Sequence, residues 1–250
     1  MEGYSVEITS TTNKLVIYAS KLKEKKFRDQ EGKFLIEGEH LISMANNIET
    51  IFTTNRNYHN EKVMVVYTNE VVLKKISQVE APQNIIAICK KITTTIDYNK
   101  DKYLICDGVQ DPGNLGSIIR TCLAFNIDYV LLSKGSVDIY NDKVIRGSQG
   151  AIFKINIAYC DLDDTLDKLK ANNITIYTST LQSDSVNLKD IKKIGRFCLI
   201  VGNEGSGVST TSLNKSDVKV KIAHSNSIDS LNVGVATSIM LYHFDSLKED

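Results

Sequence analysis

The chain of 250 residues lacks tryptophan, has only two prolines and carries no net charge, because 30 Lys and Arg balance 30 Asp and Glu. A protein that holds nucleic acid without selectivity is usually basic overall, so any such role here must depend on local charge. Hydrophobic residues make up 42% and charged residues 24% of the chain, which excludes a disordered tail, a coiled coil and a collagen-like protein. The length allows one large domain or two small ones.

The cysteines and histidines are few and scattered. The five cysteines are odd in number and none forms a Cys-x-x-Cys pair: Cys89, Cys106, Cys122, Cys160 and Cys198. This spacing argues against a disulfide framework and against a zinc site. The four histidines also lack the spacing of metal ligands: His40, His59, His224 and His243. We therefore expect buried, reduced cysteines and no metal.

Long apolar runs are absent as well. No stretch approaches the roughly 18 unbroken apolar residues that indicate a transmembrane helix. The first twenty residues lack the basic segment and apolar run that are typical of a secretory signal. We therefore predict a cytoplasmic protein with no membrane partner.

The chain changes character near residue 98. Before it, short strands such as FLIEG, VMVVYT and IIAIC alternate irregularly with helical and polar segments. From Tyr103 onward, the strand-like runs YLICD, DYVLLS, ITIYTS and FCLIVG alternate with helical segments. That alternation predicts an α/β domain with a mostly parallel sheet. We predict two domains, residues 1–98 and 99–250.

A basic segment lies in the first domain. Between Lys14 and Lys33 there are seven basic and three acidic residues. Such a run is usually a solvated helix face, and the functional alternative is a surface that contacts phosphates.

Three polar loops follow strands or precede helices of the second domain. The first, GVQDPGNLGSIIR, follows YLICD and holds Asn114, a plausible helix N-cap, and Arg120. The alternative for Arg120 is a purely structural pair with Asp107 or Asp111. The second loop, NEGSGVS, follows FCLIVG and matches neither a dinucleotide fingerprint nor a P-loop. Glu204 in this loop argues against a phosphate ligand, because an acid there would repel one.

The third loop, SIDSLNVGVATSIMLY, begins a long apolar helix, and either Ser230 or Asn232 could cap it. Parallel sheets bind ligands at the carboxyl ends of their strands, so we expect the polar residues of the three loops to share one crevice. No Cys/His nucleophile pair and no paired catalytic carboxylates accompany them. The chemistry therefore requires a cosubstrate that is already activated, which the protein positions.

These three loops, in this order, resemble the SpoU-type methyltransferases of the SPOUT superfamily, which transfer a methyl group from S-adenosylmethionine to a ribose 2′-hydroxyl of RNA. The similarity lies in DGVQDPGNLGSIIRTCLAFNIDYVLLS, LIVGNEGSGVS and KIAHSNSIDSLNVGVATSIMLY, and it continues through NDKVIRGSQGAIFKINI. The segment KLKEKKFRDQEGKFLIEGEHLI is similar to the substrate-binding domain that precedes the catalytic domain in many members. The chain departs from the family at Ala223-His224, where Pro-Met is usual.

The resemblance implies a fold and a set of partners. It implies a deep trefoil knot in the parallel-sheet domain, a small N-terminal α/β RNA-binding domain and a homodimer formed through the catalytic domains. The partner RNA is structured, with ribosomal RNA favoured. The RNA-contacting residues would be Lys21, Lys23, Lys25, Lys26 and Arg28.

The resemblance also implies site residues. The cofactor-binding residues would be Ile200, Gly202, Asn203, Gly205, Gly207, Ile222 and Leu231. The catalytic residues would be Arg120, Asn114, Glu204, Ser230 and Asn232. A guanidinium stays protonated near neutral pH, so we expect Arg120 to hold a phosphate and stabilise developing oxyanion charge rather than act as a base.

Three alternatives stay open. The chain could methylate tRNA, because members that act on tRNA share the same motifs. It could also be an RNA-binding protein that holds S-adenosylmethionine without catalysis. A nicotinamide-dependent oxidoreductase is the third, and the missing dinucleotide fingerprint argues against it.

Overall fold

The computed structural model describes residues 5–225 and 227–247. They divide into two compact units, one formed by the residues up to 92 together with 140–146, and the other by 93–139 and the residues from 147 onward. No helix within the described residues is long and apolar enough to cross a membrane.

The division between the units differs from the predicted boundary after residue 98 in two ways. The connector 93–98 belongs to the second unit, where the hydroxyls of Tyr129 and Tyr103 donate to the carbonyls of Thr95 and Asp97 at 3.1 and 2.5 Å. The segment 140–146 belongs to the first unit. There the ring of Tyr140 lies 4.4 Å from that of Phe34, measured between centroids. Contacts between residues distant in sequence thus accompany both differences from the predicted boundary.

Between residues 5 and 92, the first unit holds a five-stranded mixed sheet and four short helices. Its elements are β1 (Ser5–Glu7), α1 (Lys14–Lys21), α2 (Lys25–Glu31), β2 (Lys33–Glu37), α3 (Glu39–Met44), β3 (Ile48–Thr53), β4 (Met64–Tyr67), α4 (Glu70–Ile76) and β5 (Ile85–Lys90). The strand order is β1-β4-β3-β5-β2, with β2 and β3 antiparallel to β5. Apolar residues of α1 and α4, among them Val16 and Leu73, are buried against Phe52 and Val66 of the sheet and form the core.

The second unit is a seven-stranded sheet in which every pair of neighbouring strands is parallel. From residue 102 onward the chain forms β6 (Lys102–Asp107), α5 (Pro112–Ala124), β7 (Tyr129–Leu132), α6 (Asp142–Gly147), β8 (Asn156–Tyr159), α7 (Leu162–Ala171), β9 (Thr175–Ser179), β10 (Val186–Asn187), β11 (Phe197–Gly202), α8 (Thr210–Lys215), β12 (Val218–Lys221) and α9 (Val233–Ser246). The strand order is β10-β12-β9-β11-β6-β7-β8. Most of α6, up to Arg146, packs with the first unit. The predicted fold class, a parallel α/β sheet preceded by a smaller α/β domain, is confirmed.

Because the strands are parallel, their carboxyl ends meet at one edge of the sheet. Strands β6, β9, β11 and β12 end there at Asp107, Ser179, Gly202 and Lys221. Central β11 is buried from Phe197 to Val201, as expected for a strand covered on both faces. The first residue of each loop that leaves this edge is therefore held by the buried sheet.

Helices α5 and α9 pack against each other beside this edge. The hydroxyls of Thr121 and Ser238 are 3.1 Å apart, and a Cβ added to Gly234 would lie 3.7 Å from the Ser117 side chain. Near its end α9 is anchored by Phe244, which is fully buried against the ring of Phe197. The packing brings the first residues of both helices together at the mouth of the crevice.

Candidate functional site

A cavity of about 430 Å³ opens at the carboxyl edge of the second unit's sheet. It lies between the loops that follow β9, β11 and β12 and the first turns of α9. Its lining residues are Ser179, Thr180, Leu181, Gly202, Asn203, Glu204, Gly205, Ser206, Gly207, Val208, Lys221, Ile222, His224, Ser230, Leu231, Asn232, Val233, Ala236 and Met240. The volume suits a small organic ligand.

The wall nearest β11 is the glycine loop, which we define as residues 202–208. Asn203 and Gly207 exchange two backbone hydrogen bonds of 2.9 and 3.0 Å, which close the loop into a tight turn. Gly207 has a φ of +71°, a conformation that favours glycine. At Gly202 a Cβ would lie 2.4 Å from the carbonyl carbon of Gly207, so only glycine fits there. The backbone of this loop can therefore approach a ligand closely.

A chain of side-chain hydrogen bonds joins the three loops singled out in the sequence. Asn232 donates through Nδ2 to Oδ1 of Asn114 at 2.8 Å, and Asn114 donates through Nδ2 to Oε1 of Glu204 at 3.0 Å. Glu204 also accepts the backbone N–H groups of Gln110 and Asp111, both at 3.2 Å. Residues 90 and 118 positions apart in sequence thus fix one another at the crevice.

The carboxyl group of Glu204, which joins the loops, has a lowered pKa. Partial burial alone would raise its pKa, but the hydrogen bonds from Asn114 and from backbone N–H groups outweigh burial and hold the pKa below its usual value. The group is therefore an anion near neutral pH, and its charge is used within the protein.

The N-caps of the two helices are Asp111 and Asn232. Asp111, rather than the predicted Asn114, caps α5 by accepting the N–H of Asn114 at 2.8 Å. The helix begins at Pro112, because proline is favoured at a first helical position. Asn232 caps α9 by accepting the N–H groups of Gly234 and Val235, as one of the two predicted possibilities. Asn114 is thereby freed for its bonds to Glu204 and Asn232.

Arg120 is exposed on α5 and does not line the cavity of its own chain. The suggested pairs with Asp107 and Asp111 do not form. Asp107 accepts hydrogen bonds from serines, and Asp111 caps the helix. Among the residues that the structure describes, nothing forms an ion pair with this guanidinium, which stays available to a phosphate or other anion.

The structure brings most of the remaining predicted site residues to the cavity. Those that line it are Gly202, Asn203, Glu204, Gly205, Gly207, Ile222, Ser230, Leu231 and Asn232. Ile200 does not, because its side chain is fully buried in the core of the sheet.

Several lining residues were not predicted. Ser179 ends β9 and Thr180 and Leu181 follow it, so the general rule for strand ends could have identified them. Ala236 and Met240 lie four residues apart on α9 and have no signal in sequence that distinguishes them from core residues.

One of the two residues that depart from the family pattern, His224, also lies on the cavity wall. Its Nδ1 is 2.8 Å from the carbonyl oxygen of Ile222. Since a carbonyl only accepts, Nδ1 carries the proton in this contact. His224 therefore donates a hydrogen bond from Nδ1 to the carbonyl of Ile222, and its Nε2 can bind another partner.

The basic segment of the first unit contains residues of two kinds. Lys25 and Lys26 are exposed, and Lys25 pairs with Asp29 at 2.5 Å. Lys21 is exposed and lies over the ring of Phe27, 5.5 Å from its centroid. Partial burial lowers the pKa of Lys23.

Arg28 differs from these lysines. It is only 4% exposed, and its Nη1 donates to the carbonyls of Leu22 and Lys23 at 3.2 and 2.6 Å. Arg28 therefore holds the turn between α1 and α2, which corrects its assignment to an RNA-contacting surface.

The cavity fits S-adenosylmethionine by the chemistry of its walls. The glycine loop offers backbone groups, while Leu181, Val208 and Met240 supply apolar surface. The acid on the wall, Glu204, is already engaged by Asn114 and two backbone N–H groups. Such walls suit a nucleoside with a sulfonium group and no phosphates. Within the described part of the chain, no cluster of His, Cys, Asp and Glu could hold a metal ion.

Comparison with known proteins supports the similarity inferred from the loops. The model of the SpoU rRNA Methylase family matches residues 101–242, and the model of the MRM3-like substrate binding domain matches residues 13–87. The 23S rRNA (guanosine(2553)-2′-O)-methyltransferase RlmP of Bacillus subtilis is 35% identical over 95% of this chain and 98% of its own length.

Solved structures resemble the whole chain. An rRNA methyltransferase from Sinorhizobium meliloti with bound AdoMet has a TM-score of 0.87 at 27% identity, covering 97% of this chain and 98% of that chain. An RNA 2′-O ribose methyltransferase has a TM-score of 0.81 at 28% identity, covering 97% of this chain and 99% of that chain. The similarity extends over both units.

Proposed function

We infer the function from one premise: the chain belongs to the SpoU rRNA Methylase family, whose model matches more than half of it. It is an S-adenosylmethionine-dependent RNA methyltransferase that methylates a ribose 2′-hydroxyl, with ribosomal RNA as the favoured substrate. The observation that carries this function is the hydrogen-bonded chain from Asn232 through Asn114 to Glu204, which assembles the three family loops around one cavity.

The cofactor is held by the walls of this cavity. The backbone of Gly202, Ile222 and Leu231 would contact its adenosine, and Asn203, Gly205 and Gly207 would close over it. When bound, S-adenosylmethionine supplies an electrophilic methyl group on a sulfonium. The task of the chain is to place the ribose oxygen in line with that group and to keep water away.

Arg120 orients the RNA. Its guanidinium donates two parallel hydrogen bonds to the phosphate next to the target ribose and stabilises the negative charge that develops on the ribose oxygen as the hydroxyl proton is released to the solution. It does not act as a base, because a guanidinium stays protonated near neutral pH. Asn114 and Glu204 fix the loops around it, while Ser230 and Asn232 orient the hydroxyl or hold the third loop.

The first unit selects the RNA. Its match to a substrate-binding domain supports this role, and Lys21, Lys23, Lys25 and Lys26 would contact phosphates of a folded RNA without reading its sequence. Full-length similarity to a 23S rRNA methyltransferase favours ribosomal RNA over tRNA. The bacterial origin of this relative supports a cytoplasmic location.

Two features of assembly belong to the same proposal. The second unit forms a deep trefoil knot through its C-terminal segment, as the family resemblance implies. The chain forms a homodimer through α9, where Val235, Ile239 and Tyr242 make an exposed apolar stripe. The position of Arg120 outside the cavity of its own chain supports a dimer in which one site borrows residues from its neighbour.

Methyl transfer in vitro tests the function. The purified chain is incubated with S-adenosylmethionine that carries a labelled methyl group and with rRNA or tRNA from cells that lack the gene. We expect label in rRNA as a 2′-O-methylribose. Label in tRNA alone would support the tRNA alternative, and cofactor binding without transfer would support a non-catalytic protein.

A further inference from the structure

Asp107, at the carboxyl end of β6, is a buried acid with no role in the function described so far. It is 7% exposed, and the groups around it donate to both of its oxygens. Oδ2 accepts the backbone N–H of Ser209 and the hydroxyl of Ser212, both at 2.7 Å. Oδ1 accepts the hydroxyl of Ser133 at 3.2 Å. A buried carboxylate bonded in this way is a strong and geometrically specific anchor.

The partners of Asp107 place it at both ends of the glycine loop. In the register of β6 and β11, Asp107 is the partner of Gly202, where the loop begins. Ser209, whose N–H donates to Asp107, directly follows the last residue of the loop and caps α8. Asp107 thus lies beside the first residue of the loop through its strand position, and its carboxylate holds the residue that follows the last one. Every residue of the span 202–208 lines the cavity.

A second carboxylate makes the reciprocal contact. Glu204 on the glycine loop accepts the N–H groups of Gln110 and Asp111, which follow Asp107 in the first loop. Asn203 adds a bond from Nδ2 to the carbonyl of Gly108 at 2.9 Å. Asp107, at the end of β6, therefore accepts a backbone N–H from the residue after the glycine loop, and Glu204, in that loop, accepts two backbone N–H groups from residues after β6. Asp107 forms the buried side of this clamp, and Glu204 forms the exposed side.

We propose that Asp107 is a positioning residue for cofactor binding: it does not contact the cofactor but fixes the far end of the glycine loop in the shape that the cofactor requires. This inference rests on the proposed function, because it takes the cavity to be the S-adenosylmethionine site. Removing the charge of Asp107 releases Ser209 and Ser212, so the loop samples more conformations and binding must order it again.

The experiment compares Asp107→Asn with Asp128→Asn. Asp128 is the control, since its carboxylate also accepts hydrogen bonds within the same sheet, from the backbone N–H groups of Asp101 and Lys102 at 3.2 and 3.0 Å, but at the opposite end of β6. Calorimetry measures the Kd for S-adenosylhomocysteine, and melting of the free proteins defines a temperature at which all are folded. We expect Asp107→Asn to raise the Kd about tenfold and Asp128→Asn to change it less than twofold, on the scale of one charge-assisted hydrogen bond.

Steady-state kinetics distinguish a positioning role of Asp107 from a general loss of activity. Asp107→Asn should raise the KM for S-adenosylmethionine and change kcat at saturating cofactor less than twofold, because Asp107 touches neither cofactor nor RNA. If this variant does not fold, Ser212→Ala removes a single donor to Oδ2 and should raise the Kd about threefold.

The outcomes distinguish the role of Asp107 from the proposed function of the chain. Wild-type affinity in a folded Asp107→Asn variant, or in Ser212→Ala if the former does not fold, would overturn the role of Asp107. An equal loss in Asp128→Asn would also overturn it, because the effect would then be general. Failure of the wild-type chain to bind S-adenosylhomocysteine would instead contradict the proposed function.

Discussion

At the scale of single residues, the two charged groups of the proposed site have separate tasks. The carboxylate of Glu204 accepts hydrogen bonds from Asn114 and from the backbone of the first loop, and so holds the loops together. Arg120, five helical positions beyond Leu115 on α5, keeps its guanidinium exposed. The sequence identified both residues, but it could not show that Asp107 would bind Ser209 and Ser212 instead of Arg120, because those contacts join residues 102 and 105 positions apart.

Arg120→Lys tests the guanidinium fork. Lysine keeps the charge but cannot form two parallel hydrogen bonds to a phosphate, so we expect kcat to fall about 30-fold or more with unchanged cofactor affinity. Single-turnover methylation and calorimetry measure the two quantities. Arg146→Lys, at an exposed pair with Asp142, is the control. Near-wild-type activity with a shifted pH profile would contradict the phosphate clamp.

Glu204→Gln tests the pH dependence of the loop contacts. The pKa of Glu204 lies below its usual value of 4.5, so the ionised group stabilises the fold above that pH, and the stabilisation is lost as the pH falls through the lowered pKa. We expect Glu204→Gln to lower Tm by about 3 °C at pH 7 and the difference to shrink at the acid end. Thermal melts from pH 3 to 8, with Glu61→Gln at an exposed position as control, measure it. A difference that is constant across this range would contradict the ionic role.

At the scale of elements, much of the second unit was predictable, because strands such as FCLIVG are apolar throughout and alternate with helices. The residues at which the helices begin were less predictable from the sequence. Asn114 and Asp111 are both good N-cap residues, and Pro112 at the first helical position decides between them. The lining residues Ala236 and Met240 have the same apolar character as the buried face of α9, so only packing distinguishes them.

Gly202→Ala tests the close approach within the glycine loop. The added Cβ would lie 2.4 Å from the carbonyl carbon of Gly207 and 2.5 Å from the amide nitrogen of Val208, so the loop backbone must move. We expect the Kd for S-adenosylhomocysteine to rise at least about 100-fold by calorimetry. Gly195→Ala is the control, since nothing lies within 4 Å of its added Cβ. Equal affinity in the two variants would show that the loop tolerates a side chain at this position.

At the scale of the whole molecule, the sequence predicts two units but not where they divide. The segment 140–146 joins the first unit through Tyr140, a contact that no local pattern could reveal. The balance of charge is also informative at this scale. The chain is neutral overall, yet Lys21, Lys25 and Lys26 are exposed on the first unit, so selective and salt-sensitive RNA binding is compatible with zero net charge.

Tyr242→Glu tests the proposed dimer. Tyr242 is 68% exposed and continues the apolar stripe of Val235 and Ile239, so a carboxylate there would have to be buried without a partner in the interface. Light scattering should give a dimer for the wild-type chain and a monomer for this variant. Val71→Glu, at a 65% exposed position of α4, should remain dimeric. A monomeric wild-type chain would contradict the dimer directly.

We propose that this chain methylates a ribose 2′-hydroxyl of ribosomal RNA. Mapping of total RNA from the source organism with the gene deleted, by primer extension sensitive to 2′-O-methyl groups, tests it most directly. We predict that one ribose methylation in rRNA disappears, returns with the wild-type gene and does not return with Arg120→Ala. An unchanged rRNA methylation pattern in the deletion strain, or full restoration by Arg120→Ala, would contradict it.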